Sequence, residues 1–517
     1  MLEKTQTPQE GIVAVDSHSD GVPSQEGGKQ DTRSSSIPWS MKICSVILIS
    51  LIGFGSHWSS GVTSAMKSTL KKGLDINNTQ YAVLTASEDF MKTALILITG
   101  PVTDRIGGAG AMLYGNAIYS VGAILIAAAT QVRSYKFMIF GTVVQSLGDI
   151  ATQVAQYKMF SSWFAPSHGF ASTLGFELGL GKIGSFVGQS TANIIADNLG
   201  DFAWVYWMAV FMNLFTNVVT LVFYFFNKWA EKRYGNFTDP ATGEKLTEKS
   251  KKFEFKKMLS LPWPLWLIVL YSLFQTSTAS IFSSNATELA QQRFNVSAAT
   301  AGWYSALSQY MGFFLVPILG IFIDLLGHRL SIMLVCALGM LIAMCLAAWG
   351  PTVGGTAASF GVYAFAVSLG PTTIIDSIRT SMWYHEVFGT AYAVKIAVND
   401  SMTILLRIIT GVIQDADDNS YDRVVIVYVF LAAGSVLVGC LNFGLGSVKP
   451  ALGRLQWTRK ERLQKGALIE QMRNEYEDEE RAERHRLVSL SCFGAVLALI
   501  LGAWVAYFWG IATGHNS

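Results

Sequence analysis

The sequence predicts an all-α polytopic membrane protein: two six-helix bundles followed by a thirteenth span. Three observations predict it. Of 517 residues, 51% are hydrophobic and 14% charged, a balance that would leave a soluble chain with large apolar surface in water but that suits lipid. Thirteen apolar stretches run between Met41 and Ile511, each with the ~20 residues a helix needs to cross a ~30 Å hydrocarbon core. Two of the polar gaps also repeat one signature, Gly100-Pro101-Val102-Thr103-Asp104-Arg105-Ile106-Gly107 and Gly320-Ile321-Phe322-Ile323-Asp324-Leu325-Leu326-Gly327-His328-Arg329. A repeat at matching places in the two halves marks an internally duplicated bundle.

The spans are expected at 41–65, 79–103, 109–131, 137–161, 169–195, 203–227, 262–284, 298–323, 329–350, 355–382, 388–413, 424–446 and 487–510. They are too long, and alternate too little, to be membrane strands. Ahead of them, residues 1–38 are polar and read as a disordered cytosolic tail without a signal-peptide core. The domains are then 39–227 and 261–446, the two bundles, joined by the basic linker 228–260. A charged helical segment, 447–486, leads into the last span, 487–511, which serves as packing or anchoring or as a partner-binding surface.

Charge sets the orientation. The gaps at 228–257 and 447–486 hold nine and ten Lys or Arg, whereas the opposite side carries Asp415, Asp417, Asp418 and Asp422. This is the positive-inside bias, with the linker cytosolic. Lys67, Lys71 and Lys72 run against it. Of the Asn-x-Ser/Thr sequons, Asn77, Asn285 and Asn295 fall on the non-cytosolic side and are candidate glycosylation sites. The five cysteines (Cys44, Cys336, Cys345, Cys440, Cys492) lie inside apolar stretches and show neither a disulfide framework nor metal spacing.

The paired Gly-x-x-x-Asp-x-x-Gly signatures resemble the cytosolic loop motif of the major facilitator superfamily. That resemblance implies a gating motif of Gly100, Asp104 and Arg105 in one half and Gly320, Asp324 and Arg329 in the other. The Asp would cap a neighbouring helix N-terminus and the Arg would bridge the bundles. A carboxylate suits the positive end of a helix, and Gly permits the tight turn. The first copy departs from the family pattern, with Gly107-Gly108 in place of a basic finish.

Further stretches are similar to the lysosomal dipeptide-transporter branch of that superfamily: Val154-Ala155-Gln156-Tyr157 with Trp163-Phe164, Gly179-Leu180-Gly181-Lys182-Ile183-Gly184-Ser185, Phe388-Gly389-Thr390-Ala391-Tyr392 and Gly411-Val412-Ile413-Gln414-Asp415. The likeness covers most of 41–446. It implies small peptides as substrates, a vacuolar or lysosomal membrane (the plasma membrane being the alternative), and a substrate-carboxylate role for Lys182.

Charged side chains at mid-bilayer depth are costly and normally face a cavity or a partner. In the fourth span Gln145, Asp149, Gln153 and Gln156 share a helical face, as do Lys182, Ser185, Gln189 and Asn193 in the fifth. A zwitterion needs a cation for its carboxylate and a carboxylate for its amine, so Lys182 and Asp149 are the leading substrate-binding pair. The plainer reading makes them an ion pair joining two helices. Gln153 and Gln189 accompany them, with Tyr271, Gln275, Lys395 and Asn399 from the second half. Arg407 lies with Lys395 and Asn399 on a drifting face, beside Asp400. Asp376 and Arg379 read first as an intrahelical or gate pair. Trp383, Tyr384, His385 and Glu386 are placed at the cytosolic mouth. Candidate proton-coupling groups are Glu88, Asp89, Glu177 and His57, although Glu88 and Asp89 are adjacent and at most one can face a cavity.

Nothing in the sequence resembles an enzyme. There is no phosphate-cradling Gly loop, nucleophile elbow or zinc motif, and neither a cofactor nor a metal is expected. The basic runs flank spans and fit the topology rule rather than nucleic-acid binding. The expectation is an alternating-access secondary transporter of a small zwitterionic or anionic solute, most simply dipeptides or amino-acid-like compounds. It would work as a monomeric unit among membrane lipids, with an accessory membrane protein as an open partner. The alternatives are an organic-anion or monocarboxylate carrier and a non-transporting membrane receptor or assembly subunit on the same fold.

Overall fold

The first expected span is two helices, α1 (Trp39–Ile52) and α2 (Phe54–Ala65), separated at Gly53. The break has a local cause. Gln156 donates to the Ile49 carbonyl at 3.0 Å, competing for an acceptor the helix would otherwise use. A short α3 (Lys67–Leu74) follows, then α4 (Asn78–Ile106), α5 (Gly108–Gln131), α6 (Tyr135–Trp163), α7 (Phe170–Leu199) and α8 (Ala203–Tyr234). Side-chain caps start several of these. Asn77 and Gln80 form a capping box at α4, and Ser134 accepts from the Phe137 amide at α6.

The second half comprises α9 (Trp263–Phe294), α10 (Ala298–Ser305), α11 (Leu307–Leu326), α12 (Arg329–Trp349), α13 (Val353–Ser381), α14 (Phe388–Ala416) and α15 (Val424–Val448). Here the eighth span is the one in two pieces, α10 and α11. The charged segment is not one helix but α16 (Pro450–Gly453), a 3₁₀ turn at 454–456, α17 (Arg459–Gln464) and α18 (Gly466–Glu477). The last helix, α19 (Glu479–Thr513), is longer than its apolar stretch. Beyond α8, β1 (Phe237–Thr238) pairs antiparallel with β2 (Lys245–Leu246). This computed structural model describes residues 38–234, 237–238, 245–246, 259–384, 387–477 and 479–513. Residues 1–37 of the expected 1–38 tail, most of the linker, and His385 and Glu386 lie outside them.

Among the described residues, ten helices or helix pairs are long and apolar enough to cross a membrane. The other three expected spans, α4, α6 and α7, are 29, 29 and 30 residues long and fall short in apolarity, not in length. These are the helices that carry Glu88, Asp89, Lys92, Asp149, Glu177 and Lys182. The outward surface is apolar: Phe225, Phe430, Leu437 and Val505 are all exposed, as lipid-facing positions should be.

α9 runs ten residues beyond its expected end at 284, which corrects the reading of Asn285 as a glycosylation site. The Asn285 amide sits inside the helix and donates to Ile281 O at 3.2 Å and to Tyr428 Oη at 2.9 Å. Asn77 is engaged as the α4 cap. Asn295 is exposed at the α9 C-cap, in a left-handed conformation.

The halves meet along α4 against α14 and along α7 against α11. At the end where the basic linker lies (the linker end), one apolar core takes in Phe160 and Phe170 from the first half, Tyr271 and Phe388 from the second, and Leu452 and Leu455 from the charged segment. At the far end the apolar packing divides. One cluster centres on Trp58, Tyr81 and Tyr206, the other on Phe282, Tyr363 and Tyr428. α19 covers the α4–α14 seam, where Tyr507 stacks on Phe90 at 4.5 Å and bonds Ser87 at 2.8 Å, and Trp504 donates to Thr93 at 3.0 Å.

Candidate functional site

A cavity of about 290 Å³ opens between α2, α4, α5, α6 and α8, with Ser284 of α9 and Arg407 of α14 closing it from the second half. Its charged lining is balanced. Glu88 and Asp149 face Lys92 and Arg407, and His57, Gln145 and Gln153 add further polar groups. Lys92 is central, 2.6 Å from Glu88 and 2.7 Å from Asp149. The Glu88–Lys92 spacing of one helical turn makes the first contact local, and the second ties α4 to α6. Glu88 keeps 45% of its side chain exposed, whereas Asp89 turns into the seam. Arg407 Nε lies 3.1 Å from Asp89 Oδ2, but the angle is not that of a hydrogen bond. Both atoms are buried without a hydrogen-bond partner.

The expected pairing of Lys182 with Asp149 is corrected. Asp149 is held by Lys92, and Lys182 donates to Gln309 at 2.9 Å with its stem against Gly312 of α11. The physical reason is the drift of a 3.6-residue helix. Residues three and four apart on α7 point partly toward α10 and α11 and partly toward α2. Lys182 and Gln189 meet Gln309 and Ser305, while Ser185 and Asn193 bond His57 O and Ala65 O. On α6, Gln145, Asp149 and Gln153 line the cavity and Gln156 leaves it for Ile49 and Glu177.

Several second-half candidates serve packing in this conformation. Tyr271 is fully buried and donates to Met333 O at 2.6 Å. Gln275 faces Cys336 at 3.6 Å, and Asn399 donates to Ser272 at 2.9 Å. Lys395 lies over the Tyr392 ring at 5.6 Å. Glu177 is buried in a cage within the first half, 3.4 Å from His57 Nε2, 3.2 Å from Gln156 Nε2 and 3.4 Å from Tyr157 Oη.

Both ends of the interface are joined. At the linker end Asp324 accepts from the Ala171 and Ser172 amides at 3.3 and 2.6 Å, at the start of α7. A carboxylate there satisfies orphan donors at the positive end of a helix. Gly320 lets α11 approach so closely that a Cβ would sit 2.4 Å from Ala171 O. Arg329 is buried, ion-paired with Asp376 and bonded to Ser167 of the α6–α7 turn at 3.2 Å. That corrects the intrahelical Asp376–Arg379 reading. Tyr157 and Tyr392 pack edge to face at 4.8 Å, and Phe170 and Phe388 at 5.8 Å, forming a buried aromatic layer. In the first copy of the signature, Arg105 is exposed and Gly107 ends α4 at φ 96. The side-chain surroundings of Gly100 and Asp104 lie outside the described residues.

At the far end Asp415 does for α4 what Asp324 does for α7, accepting from the Asn78 and Thr79 amides at 3.2 and 2.9 Å. Lys67 and Lys71 each lie 2.8 Å from Glu288, and Lys67 also donates to Asn285 at 2.8 Å and Gln414 at 2.9 Å. Burial pulls Lys67 below the usual lysine range, while Glu288 pulls it back up. Two of the three lysines that ran against the charge bias are therefore consumed in a cross-half ion cluster.

Sequence reasoning missed Lys92 as a partner for Asp149, although its spacing from Glu88 was a usable signal. It also missed Glu288 and Asp415 as contacts between halves. No local pattern joins Glu288 to residues two hundred positions away.

A sequence model of the Major Facilitator Superfamily matches residues 49–406. The lysosomal dipeptide transporter MFSD1 of Homo sapiens is 21% identical over 425 residues, covering 78% of this chain and 84% of that protein. The Danio rerio lysosomal dipeptide transporter MFSD1 is 22% identical over 402 residues, covering 72% and 81%. Among solved structures, the proton:xylose symporter XylE bound to 6-bromo-6-deoxy-D-glucose matches the fold with a TM-score of 0.60 at 14% identity, over 78% of this chain and 95% of that one. With its multi-pass helical fold and a family match over most of its length, the chain belongs to the major facilitator superfamily of transporters.

Proposed function

We propose that this carrier moves a small zwitterion, a dipeptide or an amino-acid-like compound, by alternating access through the cavity between α4, α6 and α14. The observation that carries the reading is the balanced charge of that cavity: two carboxylates, two cations, and an Arg407 donor buried close to Asp89 without a proper hydrogen bond. A substrate carboxylate can take that donor in the bidentate manner guanidinium favours. A substrate ammonium can compete with Lys92 for Asp149 and Glu88. An organic anion would instead need an excess of cations, which the described lining lacks. At about 290 Å³ the cavity stands at the lower edge of the roughly 300–1,000 Å³ range of ligand pockets, so a small solute suits it. The dipeptide-transporter relatives favour peptides over other zwitterions, and a lysosomal or vacuolar membrane as the address.

In this reading Asp324 and Asp415 are gate contacts, broken alternately as the halves rock. The test is uptake of labelled dipeptides, free amino acids and monocarboxylates into proteoliposomes. Saturable uptake of a zwitterion, competed by related zwitterions and reduced in Asp149→Asn, is expected. Transport confined to monocarboxylates, or none with any of the three classes, would overturn the proposal.

A further inference from the structure

At the linker end a second cavity, of about 40 Å³, lies where three parts of the chain meet: the α6–α7 turn at Pro166, the last turn of α13 with Trp383 beyond it, and the charged segment. Arg379, Arg454, Arg462 and Arg473 line it, and Glu470, 3.6 Å from Arg473, is the one carboxylate among the described lining residues. Arg454 and Arg462 are buried. Arg454 donates to Ser381 O and its guanidinium lies 3.7 Å from the Trp383 ring centroid. Arg462 donates to Pro166 O at 3.0 Å. These contacts fix the cations in place, yet Arg454 Nε and Trp383 Nε1 are buried donors with no hydrogen-bond partner. Burial, and then repulsion from Arg462 and Arg379, draws Arg454 below the usual guanidinium range.

Buried charge costs several kcal/mol per ion unless it is compensated, and among the described residues the lining sets four guanidinium groups around one carboxylate, with Arg454 Nε and Trp383 Nε1 as unused donors. Guanidinium forks match phosphate oxygens bidentately. By the measure that a water needs ~10–15 Å³, the cavity takes a few water-sized atoms, the size of one phosphoryl group. We propose that this cavity binds a phosphoryl group, from a lipid headgroup or from the adjoining solution, and that the bound anion fastens the charged segment across both halves of the carrier. The segment already touches both: Arg462 reaches Pro166 of the first half, and Arg454 reaches Ser381 of the second. An anion at their meeting point would hold the linker end shut.

The test uses the purified full-length protein. Thermal unfolding is followed with inorganic pyrophosphate, with chloride at equal ionic strength, and in phosphatidylcholine vesicles with and without phosphatidylinositol phosphate. The expected result is stabilisation by pyrophosphate, by the phosphoinositide or by both, with none from chloride. The affinity should weaken at least about tenfold in Arg462→Gln and in Arg473→Gln, the latter being a half-exposed position that guards against simple misfolding. Stabilisation by pyrophosphate alone would assign a soluble ligand, and by the vesicles alone a headgroup. No stabilisation by either, or stabilisation unchanged in both variants, would overturn the proposal. The readout needs no transport, so it stands or falls separately from the substrate assignment.

Discussion

Glu88 and Asp149 share Lys92, and under the proposed function a substrate amine competes with that shared cation. A charge-assisted hydrogen bond contributes roughly 1.5–3 kcal/mol, about ten- to a hundredfold in affinity. Glu88→Gln, at a half-exposed position, should therefore fold normally and raise the substrate concentration for half-maximal uptake by at least about tenfold. Unchanged kinetics would remove Glu88 from the site. Gly327 tests a different physics. It holds φ 69, and a Cβ there would lie 2.1 Å from Trp457 O. Left-handed backbone costs a non-glycine residue about 1–2 kcal/mol, and overpacking typically adds about 1–3. Gly327→Ala should lower the thermal midpoint and loosen the charged segment, seen as faster proteolysis between 450 and 477. A protein as stable and as protease-resistant as the parent would contradict the contact.

At the scale of elements, two aspartates from the second half cap two helices of the first. Asp324 sits on α7 at the linker end, and Asp415 sits on α4 at the far end. Each cap is worth about 0.5–2 kcal/mol, so removing one should bias the carrier toward opening that end. With the native cysteines replaced and a cysteine introduced at Ser284 in the cavity wall, Asp415→Asn should increase labelling from the far side. Asp324→Asn should increase it from the linker side. Equal labelling of both variants from one side would refute the paired-gate reading. The element level was also where the sequence was most legible. Apolar length and the repeated Gly and Asp placed the helices, because bilayer thickness and turn geometry act on short stretches of chain. The α9 extension through Asn285 was not legible, because polar residues there are stabilised by Lys67 and Tyr428 from elsewhere in the chain. For the same reason the partner of Lys182 proved to be Gln309: helical spacing gives a face but not the neighbour that face meets.

For the whole molecule, the two ends of the interface are built from different forces. The linker end is closed by a continuous apolar core and an aromatic layer, the far end by ion pairs and hydrogen bonds between two separate apolar clusters. Breaking the far seam exposes groups that water can solvate, whereas breaking the linker end exposes apolar surface to water. α19 spans the α4–α14 seam beside both. The carrier reading unites these features only if the solute sits between the halves, in contact with both. The most direct measurement is a structure of the protein with a bound dipeptide. The account predicts density in the cavity with the carboxylate at Arg407 and the amine at Asp149 and Glu88. A dipeptide bound at Lys182 and Gln309, away from that cavity, would contradict it.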